Sequence, residues 1–240
     1  MKLPEACYKA AFSPYKRLSM LKPEEIKSTM RSAFIRWGLP HRIKIDNGYP
    51  FKPIRSKERP SLSMLWWAGL GIDPTLNSLA TPQENGMVEG LHNITFRWVN
   101  PQLYDQPDQL QAALDEVCRQ QRETYRIRAK GDKTRKELYP ELEQNSRKYH
   151  DDLFDLSKVK DYLAKFVFVR KVSSNRNITF AGVKIAVRQS RKYPYMSLTY
   201  QPEKELWQIR TPQGELIKES GKPRITEDKI LNFIPLSKNL

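Results

Sequence analysis

Ile26, Met30, Phe34 and Ile35 recur at helical spacing, in a run that opens at Lys22-Pro23-Glu24-Glu25 and stops at Gly38-Leu39-Pro40. The period then shortens. Arg42-Ile43-Lys44-Ile45 reads as a short strand running into Asp46-Asn47-Gly48, and Ala6 to Ser13 has strand character as well. Leu62 to Leu70, with Trp66 and Trp67, predicts a buried helix, followed by a strand within Ile72 to Leu79. Behind a loop from Ala80 to Gly86, Met87 to Val99 predicts a further helix. Strands alternating with helices imply an α/β lobe. From Asp105 to Arg126, the residues Leu110, Ala113, Leu114, Val117 and Tyr125 share one helical face, with Asp105 or Asp108 as the expected cap. That helix reads as packing that supports the lobe.

A different pattern begins near Leu156. Lys165 to Val172, Asn177 to Phe180, Val183 to Val187, Tyr195 to Tyr200 and Leu206 to Arg210 are short alternating or β-branched runs. Turn-prone Ser173-Ser174-Asn175, Ala181-Gly182, Pro202-Glu203-Lys204 and Pro212-Gln213-Gly214 punctuate them. Regular short strands imply a small all-β barrel, with Trp207 expected in its core. A surface-following tail with a short helix near Thr226 to Leu231 closes the chain.

The 240 residues suffice for more than one core, and 39% hydrophobic residues exclude a disordered chain. No stretch spans a bilayer, MKLPEACYKAAF lacks the apolar core of a signal peptide, and Cys7 and Cys118 are far apart, so a reduced, cytoplasmic protein without membrane partners is expected. In a bacterium that means association with the nucleoid. His41, His92 and His150 form no ligand-spaced cluster with the cysteines, which argues against zinc. The net charge of +15 is the strongest pointer to a partner, because Lys and Arg that neutralise phosphates release counterions. It divides as about +7 over residues 1–100, +1 over 101–150 and +7 over 151–240, two basic lobes around a near-neutral connector.

Taken singly, Asp46-Asn47-Gly48 is an ordinary turn signal and Glu89 an ordinary solvated acid. Together they form GLPHRIKIDNGYPF and ATPQENGMVEGLHNITFRW, with 42 residues between Asp46 and Glu89. This pattern resembles the integrase and transposase core of the RNase H-like superfamily, over residues 1 to about 145. The stretch YRIRAKGDKTRKELYPEL is similar to the basic linker that closes such cores, and RKVSSNRNITFAGVKIAV with SLTYQPEKELWQIRTPQGELI resembles their SH3-like C-terminal domain. The implied layout is a catalytic-core remnant over 1–125, a basic linker over 126–155, an SH3-like barrel over 156–220 and a tail over 221–240.

The resemblance implies DNA cleavage and strand transfer, with Asp46 and Glu89 as catalytic carboxylates holding Mg²⁺ or Mn²⁺, and Asn47, Gly48, Asn85 and Gly86 shaping the loops beside them. Such sites suit in-line displacement at phosphorus, where divalent ions activate the attacking oxygen and stabilise the leaving one. The family carries a further Asp on its first strand. No Asp precedes Asp46 here, so the expectation is an N-terminally truncated, catalytically incomplete chain. Gly90 and Phe96 stand where relatives often place basic residues, with Arg97 adjacent. The expected partner is double-stranded DNA, as transposon ends and target, bound by a homo-oligomer or by a complex with full-length transposase. Candidate contacts are Arg97, Arg126, Arg128, Lys130 and Lys133, and, on the barrel, Arg170, Lys171, Arg176, Lys184, Arg188, Arg191 and Lys192. The alternative is a non-catalytic, DNA-binding or multimerising remnant.

Overall fold

The computed structural model describes residues 23–45, 60–76, 90, 94, 95, 97–140, 145–188 and 193–236. Asp46, Asn47, Gly48, Asn85, Gly86, Glu89, Phe96, Arg191, Lys192 and the predicted strand from Ala6 to Ser13 lie outside them. The protein is mixed α/β and divides into two compact units, residues 1–40 with 76–150 and residues 41–75 with 151–240. Among the described residues no helix is long and apolar enough to cross a membrane.

In the first unit, α1 (Pro23–Trp37) follows the predicted period. Ile26 and Phe34 are buried, whereas Ile35 is exposed, because it sits one position beyond the apolar stripe. Gly38 ends the helix in the left-handed region (φ 77°), where its N–H donates to the Phe34 carbonyl. A Cβ there would come within 2.6 Å of Asn145 Nδ2 and 2.8 Å of the Arg147 carbonyl, so glycine answers two demands at once. The Asn145 amide donates to the carbonyls of Trp37 and Leu39, pinning the segment from Asn145 onto the helix end. Further along the same unit, α3 (Pro107–Glu123) carries Leu110 and Val117 into a small core with Val99, flanked by Tyr104, Ala113 and Leu114. Its N-cap is Gln106, without a side-chain bond, and Pro107 takes the first helical position. The expected caps fall either side: Asp108 contributes a charge to the first turn instead.

In the second unit, β1 (Arg42–Ile45) pairs with β2 (Asp73–Leu76), an exposed ion pair of Arg42 with Asp73 at 2.8 Å joining them. Between them in sequence lies α2 (Leu62–Gly69), apolar on all sides and buried from Ser63 onward. It packs on α5 (Leu156–Ala164) and on α6 (Glu227–Leu231). Contact is close enough that a Cβ on Gly69 would meet the Phe154 ring at 2.2 Å. Asp155, the N-cap of α5, donates its own N–H to the Gly69 carbonyl, which orders the start of that helix.

The strands β5 (Phe168–Lys171), β8 (Tyr195–Gln201), β9 (Leu206–Arg210) and β10 (Leu216–Ser220) form an antiparallel sheet in the order β10-β9-β8-β5. A second sheet pairs β6 (Asn177–Phe180) with β7 (Val183–Ala186). The described strands thus form several small sheets and no closed barrel, since β5 ends one sheet and β6 pairs only with β7. The two sheets share an aromatic core. Trp207, 1% exposed, has its ring 4.7 Å from Phe180, 4.8 Å from Tyr200 and 5.9 Å from Phe168. Burial, aided by nearby Glu205, pushes the Tyr200 hydroxyl up to about 12.

Candidate nucleic-acid interface

The hairpin β6–β7 turns through Ala181 and Gly182, both at positive φ (49° and 82°), the two-residue geometry that matches strand twist. Alternation sends Ile178, Phe180 and Ile185 into the core and leaves Thr179 and Lys184 outward, opposite each other in register. Arg176 enters the hairpin at φ 57° in a turn closed on Ser173, whose hydroxyl accepts the Asn177 N–H. The Val187 N–H donates to the Arg176 carbonyl at 2.8 Å, which brings the backbone of Arg176 beside the residue before Arg188.

A fourth cation arrives from the other sheet. Lys218 of β10 reaches across and donates to the Ala186 carbonyl at 3.2 Å. With Arg188, Ala186, Val187 and Ile217 it lines a cleft of about 440 Å³. Arg176, Lys184, Arg188 and Lys218 are all exposed; Arg176, Arg188 and Lys218 meet at the open end of the β6–β7 hairpin, and Lys184 stands on its outward face nearer the turn. Lys218 was not among the sequence candidates. Its strand has no apolar alternation, and a bulge between Leu216 and Lys218 interrupts its pairing with β9.

The local charge is one-sided. Between Asp161 and Glu203 there is no acidic residue, while Lys165, Arg170, Lys171, Arg176, Lys184, Arg188, Arg191 and Lys192 all fall there. Glu219, next to Lys218, accepts from Gln208 and lies 3.6 Å from Lys204, contacts that hold its carboxyl below the usual range. No family model matches this chain, and no curated protein matches it. The functional reading therefore rests on the residues and their geometry.

Two predicted contacts lie elsewhere on the β unit. Lys171 sits outward on β5, opposite exposed Tyr195. Arg170 is drawn inward: its guanidinium stands 5.0 Å over the Phe180 ring and donates to the Val169 carbonyl, so it serves packing first. Arg191 and Lys192 lie outside the described residues.

In the first unit, Arg97 is exposed and helical, and β3 (Arg126–Ile127) pairs with β4 (Lys133–Thr134) to form a small basic hairpin. Gly131 (φ 72°) and Asp132 (φ 58°) turn its tip, leaving Arg128, Lys130 and Lys133 exposed. Arg126 is fixed, donating to the Asp132 carbonyl at 2.8 Å. Thr134 and Glu137 then form a capping box that starts α4 (Arg135–Leu138), and the Thr134 bonds hold the Glu137 carboxyl below its usual range. Thr134→Ala is expected to cost about 1 kcal/mol and to speed tryptic cleavage at Arg128, Lys130 and Lys133 roughly fivefold, with Thr134→Ser protected. Equal cleavage rates for the three proteins would show that the cap does not order the hairpin.

Among the described residues no three His, Cys, Asp or Glu side chains converge as metal ligands. Asp46 and Glu89, the residues proposed for Mg²⁺ or Mn²⁺, lie outside those residues, as do the loop-shaping Asn47, Gly48, Asn85 and Gly86. Gly90 is helical and exposed, with open space where a side chain would stand.

Proposed function

We propose that this chain is a transposase- or integrase-type protein that binds duplex DNA, and that the basic end of its C-terminal β unit is the main contact. The observation that carries the reading is that Lys218, from a second sheet, meets Arg176 and Arg188 at the open end of the β6–β7 hairpin, a hairpin that also carries Lys184 and lies in a stretch of chain without acidic residues. Each exposed cation can displace a condensed counterion from phosphate, which gives affinity without base specificity. An anionic membrane is the weaker partner for this surface, because the cations stand on strand ends and turns and not on an amphipathic helix.

The assignment to the transposase class rests on the joint pattern around Asp46 and Glu89. Its flanks support it: β1 ends at Ile45, immediately before Asp46, and Gly90 after Glu89 is helical. Two small sheets around Phe168, Phe180 and Trp207 support the SH3-like reading of the β unit, and the order helix, strand, helix, strand over Pro23 to Leu76 supports the RNase H-like one. For the class, Mg²⁺ or Mn²⁺ supplies the activation of water or a 3′-hydroxyl at phosphorus, with Asp46 and Glu89 as the ligands this chain offers. DNA binding by the β unit needs neither.

Anisotropy of a labelled duplex titrated with salt tests this directly. Four phosphate contacts give a slope of log Kobs against log salt of about −3.6, and Lys218→Ala lowers its magnitude by about one. With Mg²⁺ added, the duplex is expected to remain uncut. Binding absent at low salt would refute the reading, and cutting abolished by Asp46→Asn would replace it with that of a competent transposase.

A further inference from the structure

In the first unit a cleft of about 780 Å³ opens between the end of α3 and the basic hairpin. Trp98, Tyr125, Arg126, Arg128 and Asp132 line it, with Gln120 and Thr124 at its helical wall. Trp98 and Tyr125 are 41% and 39% exposed, a large apolar area to leave in water side by side. Their ring centroids are 5.6 Å apart at an interplanar angle of 65°. Rings so inclined cannot both stack on one flat ligand: one offers its face and the other walls the edge. Arg135 stands 5.7 Å over the Tyr125 ring and is itself tied to the Gln121 carbonyl, which holds that tyrosine in place. Arg126 is fixed by Asp132 and Arg128 is exposed, so cations stand beside the aromatic faces.

We infer that this cleft takes an unpaired nucleotide of a DNA strand, its base stacked on Trp98 or Tyr125 and its phosphate against Arg126 and Arg128. The inference rests on the DNA-binding reading for the kind of polymer, yet on residues separate from the basic β surface. Each half of the lining matches a part of the ligand. An aromatic face accepts any base, and a guanidinium accepts phosphate. Paired bases in a duplex have both faces covered by their neighbours, so only an unpaired one can use the rings. Asp132, on the same wall, can accept a hydrogen bond from a base amino or imino group.

Tryptophan fluorescence reads this site selectively. Trp66, Trp67 and Trp207 are 1% exposed or less, and Trp37 is half-buried with Arg36 and Arg122 over its ring. Quenching by an oligothymidylate dodecamer therefore reports chiefly on Trp98. The expected result is saturable quenching, lost in Trp98→Phe although that variant still binds, and strand affinity weakened about tenfold in Trp98→Ala with duplex affinity unchanged. Arg128→Ala should weaken strand binding without altering the thermal melt. Strand affinity unchanged in Trp98→Ala, or strand and duplex affinity falling together, would overturn the inference, as would free dAMP competing as well as the oligonucleotide. If Trp98→Ala fails to fold, loss of quenching in Trp98→Phe decides. Strand quenching without duplex binding would refute the proposed function and leave this site standing; duplex binding without quenching would do the reverse.

Discussion

Trp207→Ala is expected to take the C-terminal β unit to the edge of unfolding. The indole is 1% exposed and touches Phe180, Tyr200 and Phe168, rings contributed by three other strands of two sheets. Removing a buried Trp costs about 3–5 kcal/mol, a large share of the roughly 5–15 kcal/mol by which domains are stable. Its Nε1–H also donates to the Pro223 carbonyl at 3.0 Å, so the indole ties the segment after β10 to the core. Trp207→Phe separates the two contributions. It keeps a ring among the aromatic neighbours but abandons the carbonyl, for an expected loss of about 1–3 kcal/mol. Urea denaturation followed by near-ultraviolet circular dichroism measures both. A Trp207→Ala protein within about 1 kcal/mol of the parent would show that the two sheets do not depend on this cluster.

What could be read in the sequence were features with a local cause. The period of Ile26, Met30 and Phe34 and the stop at Gly38 anticipate α1, and the alternation in Asn177–Phe180 and Leu206–Arg210 anticipates β6 and β9 to the residue. What escaped depends on partners far along the chain. β10 is a strand by virtue of β9, since Leu216-Ile217-Lys218-Glu219-Ser220 shows no two-residue period and its burial is uneven. The close fit of Gly69 to Phe154 joins residues 85 positions apart, which no local pattern encodes. Helix α5 is a different case. Val159, Tyr162 and Leu163 have helical spacing behind the cap Asp155, so its signal was present in the residues.

The candidate interface divides along the same line. Alternation places Lys184 outward and sets Arg170 on the same face as buried Phe168; it is the charge of Arg170, not its period, that suggests solvent, whereas the Phe180 ring lies within its reach. Lys218 reads as a solvated edge lysine until β10 is set beside Ala186. Asp46 and Glu89 are candidates only as a joint pattern, and they lie outside the described residues.

Reversing three charges at once should then have the largest functional effect. Arg176→Glu, Arg188→Glu and Lys218→Glu together remove three proposed phosphate contacts and set three repulsions in their place, for a loss of duplex affinity on the order of a thousandfold at low salt. All three side chains are exposed, and the only described hydrogen bond from one of their charged groups runs from Lys218 to Ala186, so the fold should survive. The matching glutamine variant separates contact from repulsion: its affinity should be intermediate and the magnitude of its salt slope smaller by about three. Net charge by itself is a rival explanation, because the chain carries +15 and any reversal reduces long-range attraction. Glutamates at Lys148, Lys165 and Lys222, three exposed lysines outside the β6–β7 hairpin and β10 in sequence, lower the charge equally. If that control loses as much affinity as the clustered variant, binding belongs to the whole charged surface and the β unit has no special place in it. If it loses only a few-fold, the end of the β6–β7 hairpin is where the phosphates sit.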